Sequence, residues 1–405
     1  MKILHVLAQL PSKTGSGVYF NNVIKGLKNK YEQACIFGYQ EDFYYDIISE
    51  QFQYAVEFKT EQLPFNIVGM SDIMPYDHTR YCDLTEEMQE DWINAFSKTL
   101  KMALEEFNPD IIICHHLWML TSLVIDIAED KVLIGVCHGT DIRQCEKNPQ
   151  LKEKYIVNIH KLDTVFALSK DQVDDIHRTY RIPTEKIKVI GGGYDGNIFF
   201  HPVQKQDSEE ISLVYAGKLA KAKGVYEMIS AIELLDAKYN IKLIVVGARD
   251  KAHMEEFSSE LAGIKNTEIH SIISQVELAE IFRKSDIFIL PSYFEGLGLV
   301  AIEALASGMR VVSSRIEGLI NNLGDDVIRS GIIKIVDLPR LYNVDKPYVE
   351  DIPKYIVNLS RAIEKQIENI KNDNKIPTEI YKLIDKHSWA NIVKEIDDEI
   401  GAYIR

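Results

Sequence analysis

Positive charge is in short supply in this chain of 405 residues: 46 Lys and Arg stand against 61 Asp and Glu, a net charge of −15. A nucleic-acid binder needs a basic stripe to displace counterions from phosphate, and this balance argues against one. It argues equally against permanent docking on anionic lipid and leaves at most transient membrane association. Long apolar runs are missing too. None reaches the ~18 residues of a membrane-crossing helix. The opening segment Met1-Lys-Ile-Leu-His-Val-Leu-Ala8 is too short in its apolar part for a signal peptide and reads as a first buried strand. Cysteine is scarce. Cys35, Cys82, Cys114, Cys137 and Cys145 are odd in number and form no Cys-x-x-Cys. They read as reduced, structural thiols of a cytoplasmic protein, and no zinc-type ligand spacing occurs.

What is present is globular. Hydrophobic residues make up 46% and charged residues 26%, enough for two cores of similar size. The first half alternates apolar strands, at 2–8, 34–37, 111–114, 132–137 and 164–167, with helices such as 18–29 and 87–107. A second series places strands at 212–216, 242–246, 267–269, 287–290 and 310–313. Near-continuous apolar strands separated by helices predict parallel sheets covered on both faces, an α/β class. Polarity rises at His201-Pro-Val-Gln-Lys-Gln-Asp-Ser-Glu-Glu210, which reads as a linker. The expected division is therefore 1–200, 201–375 and a helical tail at 376–405. Residues 40–82 are aromatic-rich and irregular, a long loop of functional or covering character.

Four segments fall at the ends of predicted parallel strands, where open α/β sheets bind ligands. The richest is Pro291-Ser-Tyr-Phe-Glu-Gly-Leu-Gly-Leu-Val-Ala-Ile-Glu303. A short strand breaks at Pro291, a loop carries Gly296 and Gly298, a helix opens near Leu299, and Gly308 stops it. Free amides and a helix dipole favour phosphate there. Glu295 and Glu303, which bracket the loop, suit sugar hydroxyls, which donate to ionised carboxylates. Phosphate flanked by sugars describes a nucleotide-sugar. A second segment, Tyr215-Ala-Gly-Lys-Leu-Ala-Lys-Ala-Lys-Gly224, offers Lys218, Lys221 and Lys223 after Gly217, either a phosphate clamp or a solvated helix start. A third, Pro11-Ser-Lys-Thr-Gly-Ser-Gly17, offers Gly15 and Gly17 ahead of a helix, a close backbone approach or only a tight turn. The fourth, Val136-Cys-His-Gly-Thr-Asp-Ile-Arg143, brings His138 and Asp141 near His115 and His116; Trp118 beside them reads as packing.

The Glu295–Glu303 spacing, with Pro291, Ser292, Phe294, Gly296 and Ala304, resembles the E-x7-E motif of the retaining glycosyltransferases of family four. That resemblance implies a GT-B fold: two Rossmann-like doubly wound domains facing a central cleft, with the last helix crossing back onto the first domain. It implies a donor site in which Lys218 and Lys223 hold the diphosphate, although Lys218 stands where the family has Arg and cannot make a planar bidentate contact. Amides of Leu299 and Val300 would hold phosphate beside Gly296, Leu297 and Gly298. Glu303 would take the ribose hydroxyls and Glu295 the donor-sugar hydroxyls. Gly15 and Gly17 would lie under the donor phosphate and acceptor. Gly247, Ile272 and the stretch from His270 to Ser274 would line the nucleobase pocket. His138 would contact the donor sugar, with His115, His116 and Asp141 as acceptor-side candidates, Asp141 either contacting substrate or positioning His138. UDP is the favoured nucleotide and GDP the next.

The reaction so implied transfers a hexose-type sugar with retention to a hydroxyl on a glycan, lipid-linked glycan, protein or small molecule. No metal or other cofactor is expected, since lysines and amides supply the charge and no Asp-x-Asp is present to hold Mg²⁺. Domain closure would expel water. Two alternatives stay open from the residues: a non-catalytic partner that keeps the fold and binds glycan or protein, and an epimerase or phosphorylase on the same architecture. A plain oxidoreductase is disfavoured because the N-terminal loop lacks the full G-x-G-x-x-G pattern.

Overall fold

Runs such as Ile3, Leu4, Val6 and Leu7, each wholly buried, have no polar face to show to water and must be covered on both sides. The computed structural model places them in parallel sheets flanked by helices. It describes residues 1–41, 43–202, 209–248, 251–271, 273–343, 345–373 and 375–403. The chain divides into two units, Met1–Gly192 with Ile392–Arg405, and Gly193–Asn391. Of the polar stretch at 201–210 read as a linker, residues 203–208 lie outside the described residues.

In the first unit, β1 (Lys2–Leu7), α1 (Gly15–Leu27), β2 (Glu32–Tyr39) and β3 (Gln53–Glu57) lead to the short pair β4 (Val68–Gly69) and β5 (Thr79–Arg80). Then come α2 (Glu86–Glu106), β6 (Ile111–His115), α3 (Met119–Ile127), β7 (Val132–Cys137), α4 (Thr140–Lys147), α5 (Pro149–Tyr155), β8 (Thr164–Ala167), α6 (Asp171–Tyr180) and β9 (Ile187–Val189). The sheet order is β3-β2-β1-β6-β7-β8-β9, with every pairing parallel. Strand order turns between β1 and β6, where Leu7 pairs with His115. Residues 40–82 are not wholly irregular. Gln53–Glu57 adds an edge strand with alternating buried Tyr54 and Val56. The return segment Ile392–Arg405 docks on this unit: Lys30 and Tyr31 both bond Asp397, the Tyr31 hydroxyl at 2.6 Å, and the Tyr403 and Thr164 hydroxyls meet at 2.6 Å.

The second unit runs β10 (Ile211–Ala216), α7 (Val225–Asp236), β11 (Ile241–Ala248), α8 (Lys251–Ser258), β12 (Thr267–Ser271), α9 (Gln275–Lys284), β13 (Ile287–Leu290), α10 (Leu299–Ala306), β14 (Arg310–Ser314), α11 (Glu317–Arg329) and β15 (Ile333–Val336). Helices α12 (Ile352–Lys371) and α13 (Thr378–Asp385) follow, and α14 (Trp389–Gly401) carries the chain out of this unit. The sheet order is β12-β11-β10-β13-β14-β15, again all parallel, and turns between β10 and β13. One core, including Leu213, Tyr215, Val225 and Leu359, covers one face of the sheet. A second, including Phe288, Ala301, Ile302 and Leu305, covers the other. Each unit thus carries a crevice at the carboxyl ends of the two strands where its order reverses.

Candidate active site

At the turning point of the second unit, two loops rise side by side. One leaves β10 through Gly217 and Lys218, and the other leaves β13 through Pro291 to Gly298. They line a cavity of about 360 Å³ with Lys218, Lys223, Ser292, Glu295 and Val300 on its walls. The Lys223 ammonium lies 2.7 Å from Oε1 of Glu295, and the Ser292 hydroxyl donates to the same oxygen at 3.0 Å. Lys218 is exposed, and its carbonyl accepts the Tyr215 hydroxyl at 2.7 Å, which fixes the loop. Ser292 and Tyr215 were not singled out from the sequence; Ser292 lay inside the quoted motif as a flanking match only.

The loops meet backbone to backbone. A Cβ on Gly247, whose φ is 139°, would sit 1.9 Å from the Gly217 carbonyl oxygen, and one on Gly224 (φ 62°) would sit 2.1 Å from that of Pro291. Only glycine fits such positions. Gly318 does the same against Gly296, with a Cβ at 1.9 Å. Gly298, φ 61°, is the N-cap of α10, and among the described residues no side chain caps that helix. The amides of its first turn, at Leu299 and Val300, point out of an uncapped N-terminus. Leu297 and Glu303 are half-buried and Gly296 is exposed. Burial pushes the Glu303 carboxyl up to about 8. Ile272 lies outside the described residues. His270, expected beside the nucleobase, turns to Oε1 of Glu268 at 2.7 Å, and Glu268 also pairs with Lys242. These three line a separate hollow with Ser212 and Asp286. The period-two alternation of β12 puts positions 268 and 270 on one face, which carries His270 to Glu268.

The turning point of the first unit is chemically different. Thr14 caps α1 by accepting from the Gly17 amide at 3.0 Å, and Gln9 bonds both Thr14 and Ser16. Gly17 is needed by its own loop, since a Cβ there would lie 2.6 Å from the Ser12 nitrogen; Gly15 faces open space. The packing at Gly17 is that of a tight turn within the loop itself. His115 ends β6, His116 follows in a left-handed conformation (φ 72°), and His138 follows β7. His115 Nδ1 and His138 Nε2 lie 3.3 Å apart with the rings stacked, and the His116 ring centroid is 4.7 Å from that of His138. The Tyr19 ring meets His138 edge-on at 5.3 Å. Burial holds all three imidazoles below their ordinary range, His138 at about 3, so the cluster is neutral at physiological pH. His115 Nε2 and His116 Nε2 are buried without a hydrogen-bond partner among the described residues.

Asp141, expected either to position His138 or to contact substrate, bonds to the chain around it. It is wholly buried. Its oxygens accept from the Leu117 amide at 2.9 Å, the His138 amide at 3.2 Å, the Ile142 amide at 3.2 Å and the Cys137 thiol at 3.4 Å. Its carboxylate ties the loops after β6 and β7 together and sets the backbone of His138. Trp118 is packed, edge-on to Tyr81 at 5.6 Å. A cavity of about 680 Å³ lies elsewhere on this unit, beside Phe37, Phe43 and Tyr45. Among the described residues no three His, Cys, Asp or Glu side chains converge to hold a metal ion, and no helix is long and apolar enough to cross a membrane.

Two family models match the chain, one described as Glycosyltransferase Family 4 on residues 79–197 and one described as Glycosyl transferases group 1 on residues 197–335. The chain belongs to the group 1, family 4 type of glycosyltransferases. This glycosyltransferase is 26% identical over 309 residues to an uncharacterized glycosyltransferase of Methanocaldococcus jannaschii, which covers 71% of this chain and 73% of that protein. Among solved structures it is similar to a sucrose-phosphate synthase from Thermosynechococcus elongatus, with TM-score 0.69 and 15% identity over 100% of this chain and 99% of that one. It is also similar to Anabaena HepE in complex with UDP and glucose, with TM-score 0.66 and 16% identity over 99% of this chain and 100% of that one. The fold of this glycosyltransferase is GT-B.

Proposed function

We propose that this glycosyltransferase moves a hexose-type sugar from a nucleoside diphosphate sugar to a hydroxyl acceptor with retention of configuration, and that the donor is a UDP-sugar, with a GDP-sugar next. The observation that carries this reading is the cavity between the β10 and β13 loops, where Lys218, Lys223 and Val300 of the uncapped α10 N-terminus stand beside Glu295, with Glu303 about one turn further along the same helix. Cations and amides suit the diphosphate, and carboxylates suit ribose and sugar hydroxyls. The likeness to a protein solved with UDP and glucose supports the choice of nucleotide.

In the proposed reaction the bond from the anomeric carbon to the leaving phosphate oxygen breaks. The bond to the acceptor oxygen forms on the same face. The acceptor proton passes to the departing diphosphate, whose charge Lys218, Lys223 and the amides of Leu299 and Val300 stabilise. The chain's own cations carry that charge, and no metal is assigned to the step. His138, His115 and His116 serve as neutral hydroxyl partners, since burial disfavours their cations. A glycan, lipid-linked glycan, protein or small molecule supplies the acceptor hydroxyl.

Titration calorimetry with UDP, GDP and ADP, then with the matching sugar nucleotides with and without Mg²⁺, tests this directly. Micromolar binding of one nucleotide that does not change with Mg²⁺ is the expected result. Folded protein that binds none of them would replace the enzyme reading by a non-catalytic GT-B partner.

A further inference from the structure

The clamp lysine has a counter-ion within the protein. Lys223 lies 2.7 Å from Glu295, and Ser292 donates to the same carboxylate oxygen. Both charged side chains are only about a quarter exposed, at 28% and 25%. Both line the 360 Å³ cavity that the donor is proposed to enter. On the nucleotide-sugar reading above, we propose that Glu295 makes this site discriminate the intact nucleotide-sugar from the bare nucleoside diphosphate.

A diphosphate that recruits Lys223 meets two costs. It must draw the ammonium off Glu295, and it must sit as an anion beside the carboxylate left behind. A bare diphosphate returns nothing to Glu295. A diphosphate bearing a sugar offers hydroxyls that donate to the carboxylate and so restore its lost partner. Glu295 therefore opposes the product nucleotide more than the donor. Once the sugar has left, the carboxylate retakes Lys223 and favours release of the diphosphate. Specificity of this kind rests on a repulsive contact as much as on an attractive one. The arrangement also explains why Ser292 is buried against the motif: its hydroxyl fixes the oxygen that Lys223 must leave.

The test compares the wild type with Glu295→Gln, which keeps shape and hydrogen bonding but removes the charge. Affinities for UDP and UDP-glucose are measured by calorimetry, with the GDP and ADP pairs as replacements if the uridine pair does not bind. The variant is expected to bind UDP about fivefold more tightly, the worth of one partly exposed ion pair, and UDP-glucose no more tightly than the wild type does. UDP affinity that is unchanged or weaker in the variant overturns the proposal and leaves the nucleotide-sugar reading standing. No binding of any nucleotide to either protein overturns that reading and this proposal with it. A readout free of nucleotide is the rate at which Lys223 is acylated by an amine reagent, followed by peptide mass spectrometry. Faster labelling in the variant supports the pair, and equal rates overturn it.

Discussion

The two units share one plan and differ in charge. In each, a parallel sheet reverses its strand order and opens a crevice at the strand ends. In the second unit that crevice is lined by backbone packed on glycine, with the cations Lys218 and Lys223 and the Glu295 carboxylate on its walls. In the first it is filled by stacked neutral imidazoles over a buried carboxylate whose every contact is internal. The topology fixes where a ligand can sit, and the side chains decide whether it can be an anion. A phosphate suits the second crevice and a neutral hydroxyl suits the first.

The sharpest way to break this contrast is to remove the cation. Lys223→Ala is expected to lower kcat/KM at least about a hundredfold, as loss of a charge-stabilising donor does, with circular dichroism unchanged. Wild-type turnover in that variant would end the clamp assignment. Next in size is the glycine packing. Gly247→Ala should cost on the order of 3 kcal/mol in a denaturant titration, because its φ of 139° and the 1.9 Å clash with the Gly217 carbonyl cannot both be relieved. Gly15→Ala in the first unit, facing open space, should change stability by no more than about 0.5 kcal/mol. Asp141→Asn should then cost about 2 kcal/mol, since the new amide nitrogen cannot accept from the backbone amides now bonded there.

The smallest effects carry opposite signs with pH. His138 and His5 fold with pKa values of about 3 and about 4, below their ordinary 6.5. The unfolded chain binds those protons first, so stability held above pH 6.5 is lost as pH falls toward 4. Glu303 is the reverse. Its folded value of about 8 exceeds the ordinary 4.5, so stability present below pH 4.5 is lost as pH rises through 8. Glu303→Gln should flatten the alkaline side, gain about 1 kcal/mol near pH 8 and weaken nucleotide binding, a trade of stability for function. Melting temperatures from pH 4 to 9, with and without nucleotide, would show both slopes.

Much of this was legible in the residues. The strand at Ile287–Leu290, the helix start at Leu299 and the stop at Gly308 follow from apolar run, glycine and helix former. The edge strand Gln53–Glu57 was missed, although its polar–apolar alternation is present, because aromatic residues around it blur the period. Ile187–Val189 and Ile333–Val336 are short and each is broken by a lysine, Lys188 and Lys334, so neither shows the unbroken apolar run that marks Ile287–Leu290. The pairing of Lys223 with Glu295 and the bond of Asp141 to the Leu117 amide depend on loops distant in sequence, which spacing alone does not bring together.

The return of Ile392–Arg405 to the first unit bears on how the protein is made. That unit is the first to leave the ribosome, yet Lys30, Tyr31 and Thr164 wait for partners at Asp397 and Tyr403 that are synthesised only after the whole second unit. Domains that are continuous in sequence can finish folding in the order of synthesis. Here the first-born unit is completed last, and its final closure is timed by the translation of everything between.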